Sequence, residues 1–281
     1  MPGSFFMRGY ERIGYIYAMK KNSPIGIFDS GVGGSSIWQE IHKLLPNEHT
    51  IYLADSKNAP YGNKTSAEIT ELSIKNTEKL LEMEAKIIVV ACNTATTNAI
   101  ATLRARYDFP FIGIEPAIKP AALQTTTKQI GILATKGTLS SALFSRTTQE
   151  FTKDINVVEI IGEGLVPLIE AGKLDGPEML SLLKKHTQPM IDANIDYLVL
   201  GCSHYPYLIP QLKKILPHKV RIIDSGEAVA RQTKTVLRSM DMLREEKSQP
   251  QIRFFTNAEP ATLRFLLRGY AKNISIEKMD F

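Results

Sequence analysis

The sequence predicts an α/β protein of two pseudo-symmetric lobes. Each is a three-layer unit with a mostly parallel sheet, and the site lies in the cleft between them. Three observations lead there. Short apolar runs alternate with segments of helical period, which demands crossover connections and parallel strands. Runs such as "PIGIF" (24–28) and "KIIVVA" (86–91) are continuously apolar, as strands covered on both faces must be. The chain also repeats itself: "IGIFDSGVGGSS" begins at Ile25 and "IGILATKGTLSS" begins at Ile130, 105 positions later.

In order, "PIGIF" reads as a strand, "GSSIWQEIHKLL" (34–45) as a helix and "TIYLA" (50–54) as a strand. A long helix over 66–85, the strand "KIIVVA" and a helix over 95–107 complete the first unit. The second unit opens at "IGILA". Its "NVVEIIGEGLVPL" (156–168) echoes "TIYLADSKNAPYG", a helix spans 177–193, and "DYLVLGCSHYPYL" (196–208) closes it. "KVRIIDSGEAVARQTKTVLRSM" adds a strand and a helix. Two last strands, "QIRFFTN" and "ISIEKM", flank a helix opened by Glu259-Pro260, proline being tolerated in a first turn. The expected division is an N-terminal extension (1–22), a first lobe of 23–117 plus 226–281, and a second lobe of 118–225. "EPAIKPAAL" (115–123) makes one crossing and "DSGEA" (224–228) the return. Met19 is a second candidate start, so residues 1–22 read as a poorly ordered extension or a start-site artefact.

The bulk numbers bound the function class. A chain of 281 residues holds one large domain or two ordinary ones. Its 43% hydrophobic and 22% charged content is that of a soluble globular protein, and no apolar run reaches membrane-spanning length. The net charge of +5 is mild, and the pairs Lys20-Lys21, Lys184-Lys185 and Lys213-Lys214 are scattered. They read as solvated faces, so no nucleic-acid partner is expected. Only two cysteines occur, and the N-terminus lacks an apolar secretory core. A reducing, cytoplasmic setting is expected.

Ligands of open α/β sheets sit outside the carboxyl ends of the strands. There the first unit places Asp29-Ser30-Gly31-Val32-Gly33-Gly34, then Asp55 with Pro60-Tyr61-Gly62, then Cys92-Asn93-Thr94. The second places Ala134-Thr135, Gly162-Glu163-Gly164 and Cys202-Ser203-His204. "GVGGSS" lacks the third glycine of a dinucleotide fingerprint and the Gly-Lys of a phosphate loop, so its glycines serve close packing or bind a carboxylate. Two cysteines and one histidine make no metal-ligand spacing, so no metal is expected. A hydrolase needs one thiol, and this chain sets two at matching strand ends. Two thiols facing one carbon suit inversion of a stereocentre: one takes a proton from one face while the other delivers a proton to the opposite face. Asp29 and His204 are natural supports, one per lobe. Asn93, Thr94, Ser203 and loop N–H groups can donate to a developing dianion.

"IGIFDSGVGGSS", "ADSKNAPYGNKT", "VVACNTATTNA", "IGILATKGT" and "LGCSHYPYL" together closely resemble the glutamate racemases, within the cofactor-independent aspartate/glutamate racemase superfamily. The resemblance runs from about Pro24 to about Asp224. It implies interconversion of L- and D-glutamate for bacterial peptidoglycan, with no cofactor, no metal and no membrane association, commonly as a homodimer. It makes Cys92 and Cys202 the acid/base pair, Cys92 handling D-glutamate and Cys202 L-glutamate, with Asp29 and His204 assisting. It makes Asp29, Ser30, Tyr61, Gly62, Asn93, Thr94, Thr135, Ser203 and His204 the substrate contacts. Glu170, in "LVPLIEAG", matches an acidic position of the family and reads equally as a support or as helix surface. Two departures stand out. Ser203 replaces a common threonine, and Gly162-Glu163-Gly164 replaces a Cys-Pro, which is expected to loosen that loop. The residues also leave open an aspartate racemase, or an amino-acid sensor on the same scaffold.

Overall fold

The computed structural model describes residues 20–281, so most of the predicted extension lies outside the described residues. The first unit runs β1 (Ile25–Asp29), α1 (Ser35–Leu44), β2 (Thr50–Ala54), α2 (Ser66–Glu82), β3 (Ile87–Val90), α3 (Asn93–Arg106) and β4 (Phe111–Gly113). The second runs α4 (Ile118–Gln124), β5 (Gln129–Ala134), α5 (Lys136–Leu139), α6 (Ala142–Phe151), β6 (Asn156–Ile161), α7 (Leu165–Glu170), α8 (Pro177–Asp192), β7 (Tyr197–Gly201), α9 (Ile209–Ile215) and β8 (Arg221–Ile223). Then come α10 (Gly226–Ser239), β9 (Ile252–Thr256), α11 (Ala261–Leu266) and β10 (Ser275–Lys278).

Two sheets result, with strand orders β10-β9-β2-β1-β3-β4 and β6-β5-β7-β8. All strand pairs are parallel. The block β2-β1-β3-β4 has the same order as β6-β5-β7-β8, so the 105-residue repeat is a repeat of topology. β1 and β5 are the central strands of their blocks, and the last strands with a thiol just beyond them are β3 and β7. Burial follows position: β1, β2, β3 and β7 are fully buried. β6 lies at a sheet edge and is largely open to solvent. β4, a three-residue strand, and α6 were not read from the sequence.

Local chemistry sets the element ends. Thr65 caps α2 with a full capping box, its side chain taking the Glu68 N–H while Glu68 returns to the Thr65 N–H. Cys92 has extended dihedrals and caps α3 through its sulfur, which accepts the Ala95 N–H at 3.4 Å. α10 packs along α1. One apolar cluster, including Val32, Trp38, Leu133, Leu165, Leu200 and Tyr205, passes from one sheet to the other, so the lobes share core. Below the sheet, Lys86 is fully buried. Its Nζ donates to Glu48 (2.6 Å), to the Lys21 carbonyl (2.6 Å) and to the Met242 carbonyl (2.8 Å). Glu48 also accepts the Arg244 N–H at 2.8 Å. This clasp ties Lys21, before β1, and the Met242–Arg244 segment, after α10, to the amino end of β3. A lone charge there would be costly, and each is paired.

Candidate active site

The strand ends converge on one small, tight cavity between the lobes. The first lobe contributes Ser30, Tyr61, Gly62, Cys92, Asn93 and Thr94 to its wall; the second contributes Thr135, Cys202, Ser203 and His204. Pro60 and Val166, not singled out in the sequence, complete it. Ten of the eleven predicted residues thus line one space. The eleventh, Asp29, sits just behind it: Ser203 donates to both its oxygens at 3.2 Å. The thiols are free and buried, Cys92 at 4% and Cys202 at 6% exposure.

Their surroundings differ. Cys92 stands at the N-terminus of the fourteen-residue α3, and its thiol donates to the Ser30 hydroxyl at 3.5 Å. Burial pushes this thiol well above the usual range, with the Asp29 charge adding, while the Ser30 and Ala95 contacts pull the other way. Cys202 Sγ lies 3.7 Å from His204 Nδ1. His204 Nε2 lies 2.6 Å from Glu170 Oε1. Burial opposes charge on this imidazole, but its contacts with Cys202 and Glu170 outweigh it and hold His204 well above its ordinary value. An imidazole braced by a carboxylate therefore faces the Cys202 sulfur. Asp29 is raised, chiefly by burial, and His204 and the Gly34 N–H work against that rise.

The glycine loop explains how these groups fit. A Cβ on Gly31 would stand 1.9 Å from Glu170 Oε1, and one on Gly33 would stand 2.2 Å from His204 Nδ1. The missing β-carbons are the space into which second-lobe side chains reach. The loop does bind carboxylates, but they are the protein's own. The Val32 N–H donates to Glu170 at 2.7 Å and the Gly34 N–H to Asp29 at 2.7 Å. Glu170 also takes the Ser56 hydroxyl at 2.9 Å. Glu170 is thus a largely covered link between the lobes, its side chain 16% exposed, rather than helix surface.

A second seam crosses the cavity rim. Thr94 and Thr135 hydroxyls meet at 2.8 Å, and Asn98 donates to the Gly137 carbonyl at 3.1 Å. Asn93 is the exception to this satisfaction. It is 2% exposed, and both its amide nitrogen and oxygen lack a partner. A buried amide with nothing to bond marks a place for a ligand. Tyr61 turns its hydroxyl away, to Asp55 and to the Asn76 amide at 3.1 Å. The 162–164 loop is held rather than loose. Gly164 takes φ +81°, a Cβ on Gly162 would stand 2.3 Å from the Tyr205 oxygen, and the Glu163 carbonyl bonds His186 at 2.9 Å. Among the described residues, no cluster of three or more His, Cys, Asp or Glu side chains could hold a metal ion. No described helix is long and apolar enough to cross a membrane.

Residues 25–233 match the sequence model of the Asp/Glu/hydantoin racemases. The chain belongs to that family. It is 46% identical over 231 residues to a glutamate racemase of Ectopseudomonas mendocina, covering 82% of this chain and 88% of that one. It superposes on the Escherichia coli glutamate racemase solved with L-glutamate and the activator UDP-MurNAc-Ala, with a TM-score of 0.81 and 35% identity. That match covers 92% of this chain and 98% of the other. The Francisella tularensis glutamate racemase solved with D-glutamate gives a TM-score of 0.79 and 28% identity over 92% and 98% of the two chains.

Proposed function

We infer that this family member is a glutamate racemase, an isomerase that interconverts L- and D-glutamate with two thiols and no cofactor. The observation that carries the mechanism is the placing of Cys92 and Cys202, from equivalent ends of two repeated units, on one buried cavity. A carbon acid beside a carboxylate gives up its proton reluctantly, so the base needs help and the developing charge needs donors. In the L-to-D direction the Cys202 thiolate, held by the His204 imidazolium, takes the Cα proton. The Cys92 thiol gives its own proton to the opposite face, and the sulfur left behind is held by the Ser30 hydroxyl and the Ala95 N–H. The reverse direction exchanges the roles. The unpartnered Asn93 amide, with the Thr94 and Ser203 hydroxyls, binds the substrate carboxylates, and the Tyr61-Gly62 segment and Thr135 close the far wall. Asp29 balances the substrate ammonium, whose positive charge in turn lowers the cost of a thiolate next to it.

Residues 23–117 with 226–281 make the first lobe on this reading, and 118–225 the second; the two sheets and the packing of α10 on α1 support that division. The enzyme works in the cytoplasm, supplies D-glutamate to peptidoglycan and forms a homodimer. The test is incubation of purified, metal-free, cofactor-free protein with L-glutamate in D₂O, following the Cα proton by NMR together with circular dichroism. Loss of both signals is expected. Loss of neither, with aspartate equally inert, would overturn the reading.

A further inference from the structure

Asn257 follows β9, outside both repeated units and beyond the residues matched by the family. It is 6% exposed, and both ends of its amide are bonded. Its Oδ1 accepts the Lys57 N–H at 2.8 Å, and its Nδ2 donates to Asp55 Oδ1. Asp55 is 2% exposed and gathers three side chains: Asn58 donates to Oδ1 at 2.7 Å, Asn257 to the same oxygen, and the Tyr61 hydroxyl to Oδ2. The segment from Asp55 to Asn63 has two short single turns and no strand of its own, so few ladder bonds hold it. It nevertheless carries Tyr61 and Gly62 to the cavity wall. What fixes it is the Asp55 carboxylate; the Asp55 backbone continues β2 and its N–H bonds the Asp29 carbonyl at 3.0 Å, while Asn257, from the end of β9, fixes the orientation of the carboxylate itself.

We propose that Asn257 is a positioning residue for the proposed racemase site: through Asp55 it sets the place of the Tyr61-Gly62 wall, and so the fit of the substrate. It touches neither thiol, so its loss should weaken binding more than proton transfer. This inference rests on the racemase reading, and the test separates the two. In N257A and N257L, KM for glutamate rises about tenfold while kcat changes less than about twofold. N257L fills the space and removes both hydrogen bonds, so a merely space-filling role predicts a KM near wild type for N257L alone. Hydrogen exchange by mass spectrometry gives a readout independent of turnover. The 55–63 peptide exchanges faster in both variants, while peptides covering β1 and β3 do not change. A wild-type KM in N257L, or unchanged exchange over 55–63, overturns the inference while leaving the function intact. If wild-type protein is inert toward glutamate, the racemase reading falls, and the KM prediction for this residue falls with it.

Discussion

The two thiols occupy the same place in two copies of one topology, yet their surroundings share almost nothing. Cys92 meets a hydroxyl and a backbone N–H at a helix N-terminus, where the helix dipole favours negative charge. Cys202 meets an imidazole whose other nitrogen is held by a carboxylate. Duplication supplied two equivalent strand ends, and substitution then gave each its own way of tolerating a thiolate. One is neutral and built from dipoles, and the other is ionic. The difference teaches that repeat symmetry locates the acid/base pair but does not determine how each member is tuned.

The largest effect that would break this comparison comes from the sulfurs. C92A and C202A each lose racemisation by at least about 10³-fold, the scale of a positioned acid or base. Exchange should survive on one side only. C92A still exchanges the Cα proton of L-glutamate for deuterium without inversion, and C202A does the same for D-glutamate. Full turnover in either variant would rule out the two-thiol reaction.

E170Q comes next, with an expected loss of about 10- to 100-fold from an uncharged partner for His204. The enantiomers have equal free energy, so kcat/KM falls equally in both directions; the asymmetry appears in isotope effects. The effect of Cα deuteration rises for L-glutamate, whose proton goes to Cys202, and stays flat for D-glutamate. The pH dependence has a definite sign. Glu170 raises His204, so the imidazolium persists as pH rises. Without the carboxylate it is lost at lower pH, and the alkaline fall in kcat/KM moves toward acid. The same raised group contributes to stability fully below the unfolded value of about 6.5 and loses that contribution as pH climbs through the folded value. Melting temperatures of E170Q and wild type should therefore differ more at pH 6 than at high pH.

S30A is the mirror experiment and the smallest effect. Removing one hydroxyl from Cys92 costs about 1 kcal/mol, a loss of roughly fivefold. The isotope effect rises for D-glutamate this time. Equal changes in the isotope effect for both enantiomers, in E170Q and in S30A, would show that the two surroundings are not separately tuned.

Much of this was legible in the chain. The repeat beginning at Ile25 and Ile130 and the continuous apolar runs give the two parallel sheets. The short polar residues after each cysteine mark the cavity wall. Glu170 was ambiguous because a glutamate in a helix has no local mark of burial. The mark lay elsewhere, in Gly31 and Gly33, whose missing β-carbons make room for Glu170 and His204. Asn257 left no signal, since its partners Asp55 and Lys57 are about 200 residues away in sequence and meet it only through the β2–β9 pairing. β4 is too short for its period to register, and β6 reads as apolar although it lies at an edge. The glycines of the 162–164 loop suggested slack, but a left-handed dihedral and the approach of Tyr205 require them there.

The seam from Glu170 to Val32 and Ser56, with the Thr94–Thr135 contact across the rim, leaves both sulfurs almost sealed. With Cys92 4% and Cys202 6% exposed, little of either sulfur is open to a peroxide or an alkylating reagent while those bonds are made. Labelling of the free thiols then reports how often the lobes part. A change that loosens the seam will leave the protein more prone to oxidative inactivation even where its chemistry is untouched.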